Sequence, residues 1–175
     1  MVVRRFTATD VPTMWTLNSL PNVGQTADGS AALPLLPSEV PPPEFPDLAD
    51  VETTFMRAGG DFFVAEHGGS IVGMGGFRPN VAGQAEVLRV RVHPAMRRRG
   101  VGRQLMGAIE NAARQAGLSE MFLDTALNQP DAVAFYQGLG YRELGRRTEP
   151  DWSWTLVYFG KDLSKPGGAM RPKAG

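Results

Sequence analysis

The chain has 175 residues, 42% of them hydrophobic, and equal numbers of acidic and basic side chains give a formal net charge of zero. That is enough chain for one domain with a buried core, and a neutral total argues against a nucleic-acid binder, which would carry a basic excess. With no cysteine and two histidines, the chain offers no basis for a disulfide framework, a thiolate nucleophile or a bound metal.

The N-terminus carries Arg4 and Arg5 and lacks the apolar core of a leader, and no run of about 18 apolar residues follows, so the reading is a soluble cytoplasmic protein with no membrane partner. Val2 to Thr7 reads as a first strand. Asp10-Val11-Pro12 reads as a helix start, with Asp capping and Pro in the first turn; Met14, Trp15, Leu17 and Leu20 supply its apolar contacts, and Pro21 ends it. Residues 22–46 shift to Gly, Ser and Pro, including Pro41-Pro42-Pro43, which excludes regular helix or sheet. This insertion reads either as a polyproline linker or as an ordered loop over an acceptor site. Asp50 to Met56 follows as a short second helix.

Asp61 to Ala65 and Ser70 to Phe77 read as strands joined by a hairpin at His67-Gly68-Gly69. The glycines of Gly73-Met74-Gly75-Gly76 weaken a strand and call for a bulge or a closely approaching ligand. Next comes a strand over 86–92, with Val87, Leu88, Val90 and Val92, then a His93-Pro94 corner in which His93 reads as a turn residue. Arg97-Arg98-Arg99 follow, and Gly100-Val101-Gly102 opens a helix. Its apolar positions are Val101, Leu105, Ile109, Ala112 or Ala113 and Ala116, a near-3.6 repeat stopped by Gly117. Met121 to Leu127 reads as a strand, Asp131 to Leu139 as a helix closed by Gly140, and Tyr141 to Leu144 as the start of another strand. Trp152 to Phe159 should close the sheet, with Trp152, Trp154, Leu156 and Tyr158 on one face and the two tryptophans serving sheet packing. Residues 1–163 thus form one domain, and 164–175, rich in Pro, Gly and Lys, a flexible tail.

Charge is distributed unevenly along this order. Between Phe6 and Met56 there is no cation, against Asp10, Asp28, Glu39, Glu44, Asp47, Asp50 and Glu52; from Arg78 to Arg103 there are seven arginines against Glu86 alone. A neutral chain can therefore present one anionic and one cationic face.

The first N–H groups of a helix lack internal acceptors and carry the positive end of its dipole, and glycine lets a ligand approach that backbone. A strand that hands over to Arg97-x-x-Gly100-x-Gly102 therefore invites an anion, most simply phosphate. A Walker A loop would need a lysine after its last glycine, and a dinucleotide fingerprint a third glycine where Leu105 stands. The remaining pattern, preceded by Val-x-Val-His-Pro, resembles the coenzyme A loop of the GNAT superfamily of N-acetyltransferases. A second block, Asn128-Gln129-Pro130-Asp131-Ala132-Val133-Ala134-Phe135-Tyr136-Gln137-Gly138-Leu139-Gly140-Tyr141, is similar to the family's Asn, Ala, Phe-Tyr, Gly-aromatic stretch. The resemblance spans roughly residues 2 to 163. It implies an α/β fold with a mixed, mostly antiparallel twisted sheet of about seven strands flanked by about four helices.

The same resemblance implies acetyl-CoA as cosubstrate. Its pyrophosphate would lie on the backbone and side chains of Arg97, Arg98, Arg99, Gly100, Val101, Gly102 and Arg103. Its pantetheine arm would lie along Val90, Arg91 and Val92, with Asn128 beside it and Tyr136 at the sulfur. Acyl transfer to an amine requires a base, a donor to the developing oxyanion and an acid for the leaving thiolate. Glu86, eleven residues before Arg97, sits where some members of the family carry a catalytic glutamate, acting directly or through water; as a purely structural residue it would pair with Arg89 or Arg91. The backbone N–H of Val90, freed by a bulge, would be the donor, and Tyr136 the acid.

The expected activity is acetyl transfer from acetyl-CoA to a primary amine on a small molecule or peptide, by direct attack in a ternary complex. The acidic segment favours a cationic acceptor, and the protein would work as a monomer or homodimer. The alternative is a nonenzymatic acyl-CoA or nucleotide-binding module.

Overall fold

The computed structural model describes residues 1–21 and 32–164. The short apolar runs collect into one sheet of seven strands: β1 (Val2–Arg5), β2 (Asp61–His67), β3 (Ser70–Pro79), β4 (Ala85–Val92), β5 (Glu120–Ala126), β6 (Arg142–Arg147) and β7 (Leu156–Asp162). Their order is β1-β2-β3-β4-β5-β7-β6. Every neighbouring pair is antiparallel except β4 and β5, which are parallel. Flanking it are α1 (Val11–Ser19), α2 (Val101–Gln115), α3 (Pro130–Gly138) and a π-helical turn, Glu52–Met56. The mixed, mostly antiparallel sheet with helices on both faces is the architecture expected from the sequence.

Each face of the sheet has its own core. On one side α2 lays down Val101, Leu105, Met106, Ile109 and Ala113, all buried against Val72, Phe77, Val87, Met121 and Leu123. Each large side chain removed from water in this way contributes about 1.5–3 kcal/mol. Ala113, not Ala112, is the buried alanine of the repeat, and Ala116 is exposed at the helix end. On the other side α1 (Met14, Leu17) and the segment carrying Leu35, Leu48, Val51 and Phe55 cover Phe62, Val64 and Met74.

The glycine-rich stretch of β3 is explained by packing. A Cβ on Gly73 would stand 2.9 Å from both Val101 and Leu105 side-chain carbons, so the close-approaching group is α2 and not a ligand. The expected bulge lies opposite: Met74 pairs with Arg91 and Gly76 with Leu88, leaving Arg89 and Val90 to face Gly75 alone. Arg89 takes a left-handed backbone, φ 59°, as a bulged residue can. β4 has already left β5 ahead of this bulge. The two pair only at Ala85 with Met121 and Glu86 with Phe122, then part, and the gap between them is the cleft of the next section.

Some sequence expectations change. Asp10 precedes α1, but its carboxylate accepts from the Thr7 N–H (2.7 Å) and from Arg4 (2.7 and 3.0 Å); it closes the preceding 3-10 turn instead of capping α1. β7 is internal, between β5 and β6, so β6 and not the last strand forms the edge. Trp152 and Trp154 lie before β7 in an irregular turn, stacked on each other at 5.6 Å and 13°, with Arg147 over Trp152 at 5.8 Å. Trp154 is exposed, and β7 buries the opposite parity, Val157 and Phe159; the tryptophans do not pack the sheet. Residues 32–45 run without helix or strand along α1, with Leu35 buried and the Ser38 N–H on the Pro12 carbonyl at 2.9 Å, and a 3-10 turn begins at Pro46. The remainder of the insertion, 22–31, and the tail from 165 lie outside the described residues.

Candidate active site

The splayed strands enclose a cleft of about 890 Å³. Its floor is β4 from Val87 to Val92, its far wall β5 from Asp124 to Ala126, and its end the start of α2 with α3 alongside. Of the expected residues, Val90, Arg91, Val92, Arg97, Arg98, Gly102, Asn128 and Tyr136 line it. Arg99, Gly100, Val101 and Arg103 flank it; Val101 is buried in the core, and Arg99 and Arg103 are exposed.

The two glycines at the helix start do different work. Gly100 precedes α2 with φ 81°, a left-handed conformation that side chains with a Cβ adopt at a cost. Gly102 lies against α3: a Cβ there would stand 3.0 Å from Phe135 Cζ. Its bare backbone lets α3 close on α2 and leaves the first-turn N–H groups beside the cleft, where the dipole favours an anion. Arg98, at φ 62°, and Arg97 bring guanidinium groups to the same end.

The middle of the cleft holds Arg91 and Tyr136. Arg91 forms no ion pair among the described residues, and burial, then the neighbouring cations Arg89 and Arg97, lower its pKa. Tyr136 is buried, its ring 5.2 Å from Phe135 and 6.3 Å from Phe159. Burial above all, then the charge of Asp124, raises its pKa, against the opposing effect of Arg91. The phenol therefore keeps its proton through neutral pH and has one to give.

At the other end Glu86 is not among the lining residues. It pairs with Arg78 of β3 at 3.6 Å, not with Arg89 or Arg91. Arg89 is instead held by Asp47 through two bonds of 2.7 and 3.0 Å and stacks over Phe45 at 4.4 Å, which ties the segment after the Pro-rich insertion to the bulge. His93 is a buried turn residue: its Nδ1 accepts from the Ala95 N–H at 3.2 Å, its Nε2 finds no partner among the described residues, and burial followed by Arg97 lowers its pKa.

The residue that sequence reasoning passed over is Asp124. It lines the cleft and makes no hydrogen bond or ion pair among the described residues. Its side chain is open to solvent through the cleft, and partial withdrawal from water first and the charge of Glu86 second raise its pKa, with Arg89 opposing. The available signal was a lone carboxylate inside the apolar run Met121-Phe122-Leu123-Asp124. Among the described residues no group of three or more His, Cys, Asp or Glu gathers as a metal site, and no helix is long and apolar enough to cross a membrane.

The sequence profile of the acetyltransferase (GNAT) family matches residues 31–141. N-acetyltransferase family 8 member 2 of Rattus norvegicus is 32% identical over 104 residues, covering 57% of this chain and 46% of that one. IAA acetyltransferase of Azospirillum brasilense is 35% identical over 105 residues, covering 59% and 68%. The chain spans about half the length of the mammalian relatives it matches. Among solved structures, a GNAT-family acetyltransferase from Staphylococcus aureus Mu50 superposes with a TM-score of 0.72 at 17% identity, over 93% of this chain and 98% of that one. A Salmonella typhimurium protein solved with its cofactor acetyl-CoA gives 0.69 at 19%, over 93% of each. A profile matched over more than half of the sequence, on a fold shared with such structures, establishes that the chain belongs to the GNAT family of acetyltransferases.

Proposed function

We propose that the protein transfers the acetyl group of acetyl-CoA to a primary amine by direct attack in a ternary complex. The observation that carries this reading is a single cleft with a helix N-terminus and arginines at one end, a protonated buried tyrosine in the middle and the carboxyl of Asp124 on its far wall. Relatives named N-acetyltransferases and a structural neighbour solved with acetyl-CoA support it.

In this reading Arg97, Arg98 and the backbone of the first α2 turn hold the pyrophosphate, with Arg99, Gly100, Val101 and Arg103 completing the loop. Val90, Arg91, Val92 and Asn128 hold the pantetheine arm. The bulge at Arg89 and Val90 turns the Val90 N–H toward the carbonyl oxygen that gains charge as nitrogen attacks. Tyr136 gives its proton to the departing sulfur, and the amine proton leaves toward the carboxyl side of the cleft, where Glu86 stands behind the lining. Of the acidic segment, Asp10 and Asp47 are neutralised by Arg4 and Arg89 and Asp50 caps the Thr53 N–H at 2.9 Å. Glu39 and Glu44, with Glu52 on the π-helical turn, remain exposed to favour a cationic acceptor.

A thiol-release assay with a panel of amines, run beside the rise in Tm on adding CoA, tests the reading. Thiol release dependent on both substrates supports it. A CoA-induced rise with no release from any amine would instead identify a nonenzymatic acyl-CoA-binding module.

A further inference from the structure

Acetyl transfer by direct attack needs a proton acceptor on the side where the amine enters and a proton donor on the side where sulfur leaves. The sheet provides two such sides. Side chains alternate along β5: Met121 and Leu123 belong to the α2 core together with Tyr136, so Phe122 and Asp124 point to the opposite face. Pairing confirms that parity, because Asp124 stands opposite Tyr158 of β7 and the Phe122 and Tyr158 rings stack at 5.8 Å and 20°. Glu86 is in register with Phe122 and lies on the same face. Asp124 comes two residues after that last paired position, where β4 and β5 have already parted, and this brings its carboxyl into the cleft while Glu86 stays outside the lining.

Resting on the proposed transfer reaction and refining it, we infer that Asp124 takes the proton from the attacking amine, from the face of the sheet opposite Tyr136, with Glu86 holding a second negative charge behind it. The charged and titratable groups facing Asp124 are Glu86 and Arg89 from β4, Tyr136 from α3 and Tyr158 from β7. Arg89 is engaged by Asp47, so among the described residues no cation pairs with Asp124, and the role of counter-ion falls to an incoming ammonium. The acceptor arrives as R-NH3+ and passes one proton to the Asp124 carboxylate. The freed lone pair forms the C–N bond and the C–S bond breaks, with Tyr136 protonating the sulfur. The second proton leaves the nitrogen by the same carboxylate; of the two protons removed, one replaces that of Tyr136 and one goes to water. The products are the amide, the CoA thiol and one proton.

The test compares Asp124→Asn, Asp124→Glu and Glu86→Gln in thiol release across pH, alongside acetyl-CoA KM and Tm. Asp124→Asn should lower kcat by ~10²- to 10³-fold, change the acetyl-CoA KM by less than ~3-fold and erase the acid limb of kcat/KM. Asp124→Glu should recover part of the rate. Glu86→Gln should keep the limb and move it to lower pH, since one cause of the raised Asp124 pKa is gone. A carboxyl whose pKa is raised on folding binds more protons folded than unfolded above the ordinary value of 3.8, which costs stability as pH rises through that window. Asp124→Asn should therefore not lower Tm at pH 7, whereas loss of a structural residue would. A kcat within ~3-fold of wild type with the acid limb intact in Asp124→Asn overturns the assignment and leaves the transfer reaction standing. The same holds if the limb disappears in Glu86→Gln and persists in Asp124→Asn. A wild type that binds acetyl-CoA and acetylates no amine overturns both.

Discussion

Tyr136 and Tyr141 lie five residues apart with ring centroids 5.8 Å from each other, both buried and both with pKa raised, chiefly by burial. Their hydroxyls meet opposite circumstances. Tyr141 donates to Glu110 at 3.1 Å, and Glu110 also receives Lys161 at 2.7 and 2.8 Å, so the group closes on itself between α2 and β7. Tyr136 lines the cleft, where its charged neighbours, Asp124 and Arg91, have no ion-pair partner among the described residues. Polar groups that satisfy one another hold a fold together; groups left waiting for a partner are the ones available to a substrate.

The largest effect expected from this contrast is kinetic. Tyr136→Phe, which removes only the hydroxyl, should cut kcat by ~10- to 10³-fold with acetyl-CoA KM little changed, while Tyr141→Phe should leave kcat within ~2-fold and cost about 1–2 kcal/mol in chemical denaturation. Equal kinetic effects from the two would erase the distinction. Next in size is Lys161→Met, which takes the nearer of two cations from the buried Glu110 carboxylate and leaves it Arg114 at 3.9 Å; a loss of about 1–3 kcal/mol is expected, since Lys161 also retains some exposure. Denaturation midpoints that do not move would show that the closed end is not a stabilising cluster.

The glycines sharpen the picture at the cofactor end. Gly102→Val should weaken CoA binding by at least ~10-fold, for two reasons that can be separated: the new side chain crowds Phe135 as well as the phosphate approach. In a Phe135→Ala background the crowding is relieved. Recovery of Tm without recovery of CoA affinity, read by calorimetry, would assign the glycine to the ligand, and full recovery of both would assign it to packing.

The smallest effect concerns acceptor choice. Because Asp47 is bound to Arg89 and Asp50 caps a turn, the clean test of steering neutralises Glu39 and Glu44 alone. For a dicationic amine, wild-type kcat/KM should fall between about 20 and 300 mM salt, as the Debye length shrinks, and the double variant should flatten that dependence. If the variant retains the full salt slope, these carboxylates do not attract the acceptor.

Local sequence determined more of this protein than its neutral composition suggests. The strand, arginine loop and glycine-opened helix over 86–117, the hairpin at 67–69 and the helix over the second block depend on interactions a few residues apart, on periodicity and on turn chemistry, and all are visible in one dimension. Tertiary structure decided which charges meet. Glu86 found Arg78 directly opposite on β3, Arg89 found Asp47 forty-two positions earlier, and Asp124 was left in the cleft with no ion-pair partner among the described residues. It also placed β7 inside the sheet and Trp152 and Trp154 outside it. Those outcomes follow from strand order and from the early parting of β4 and β5, which pair no further than Glu86 with Phe122. Strand order and splay arise from long-range pairing of the whole sheet, and no local pattern in the sequence encodes where two strands separate.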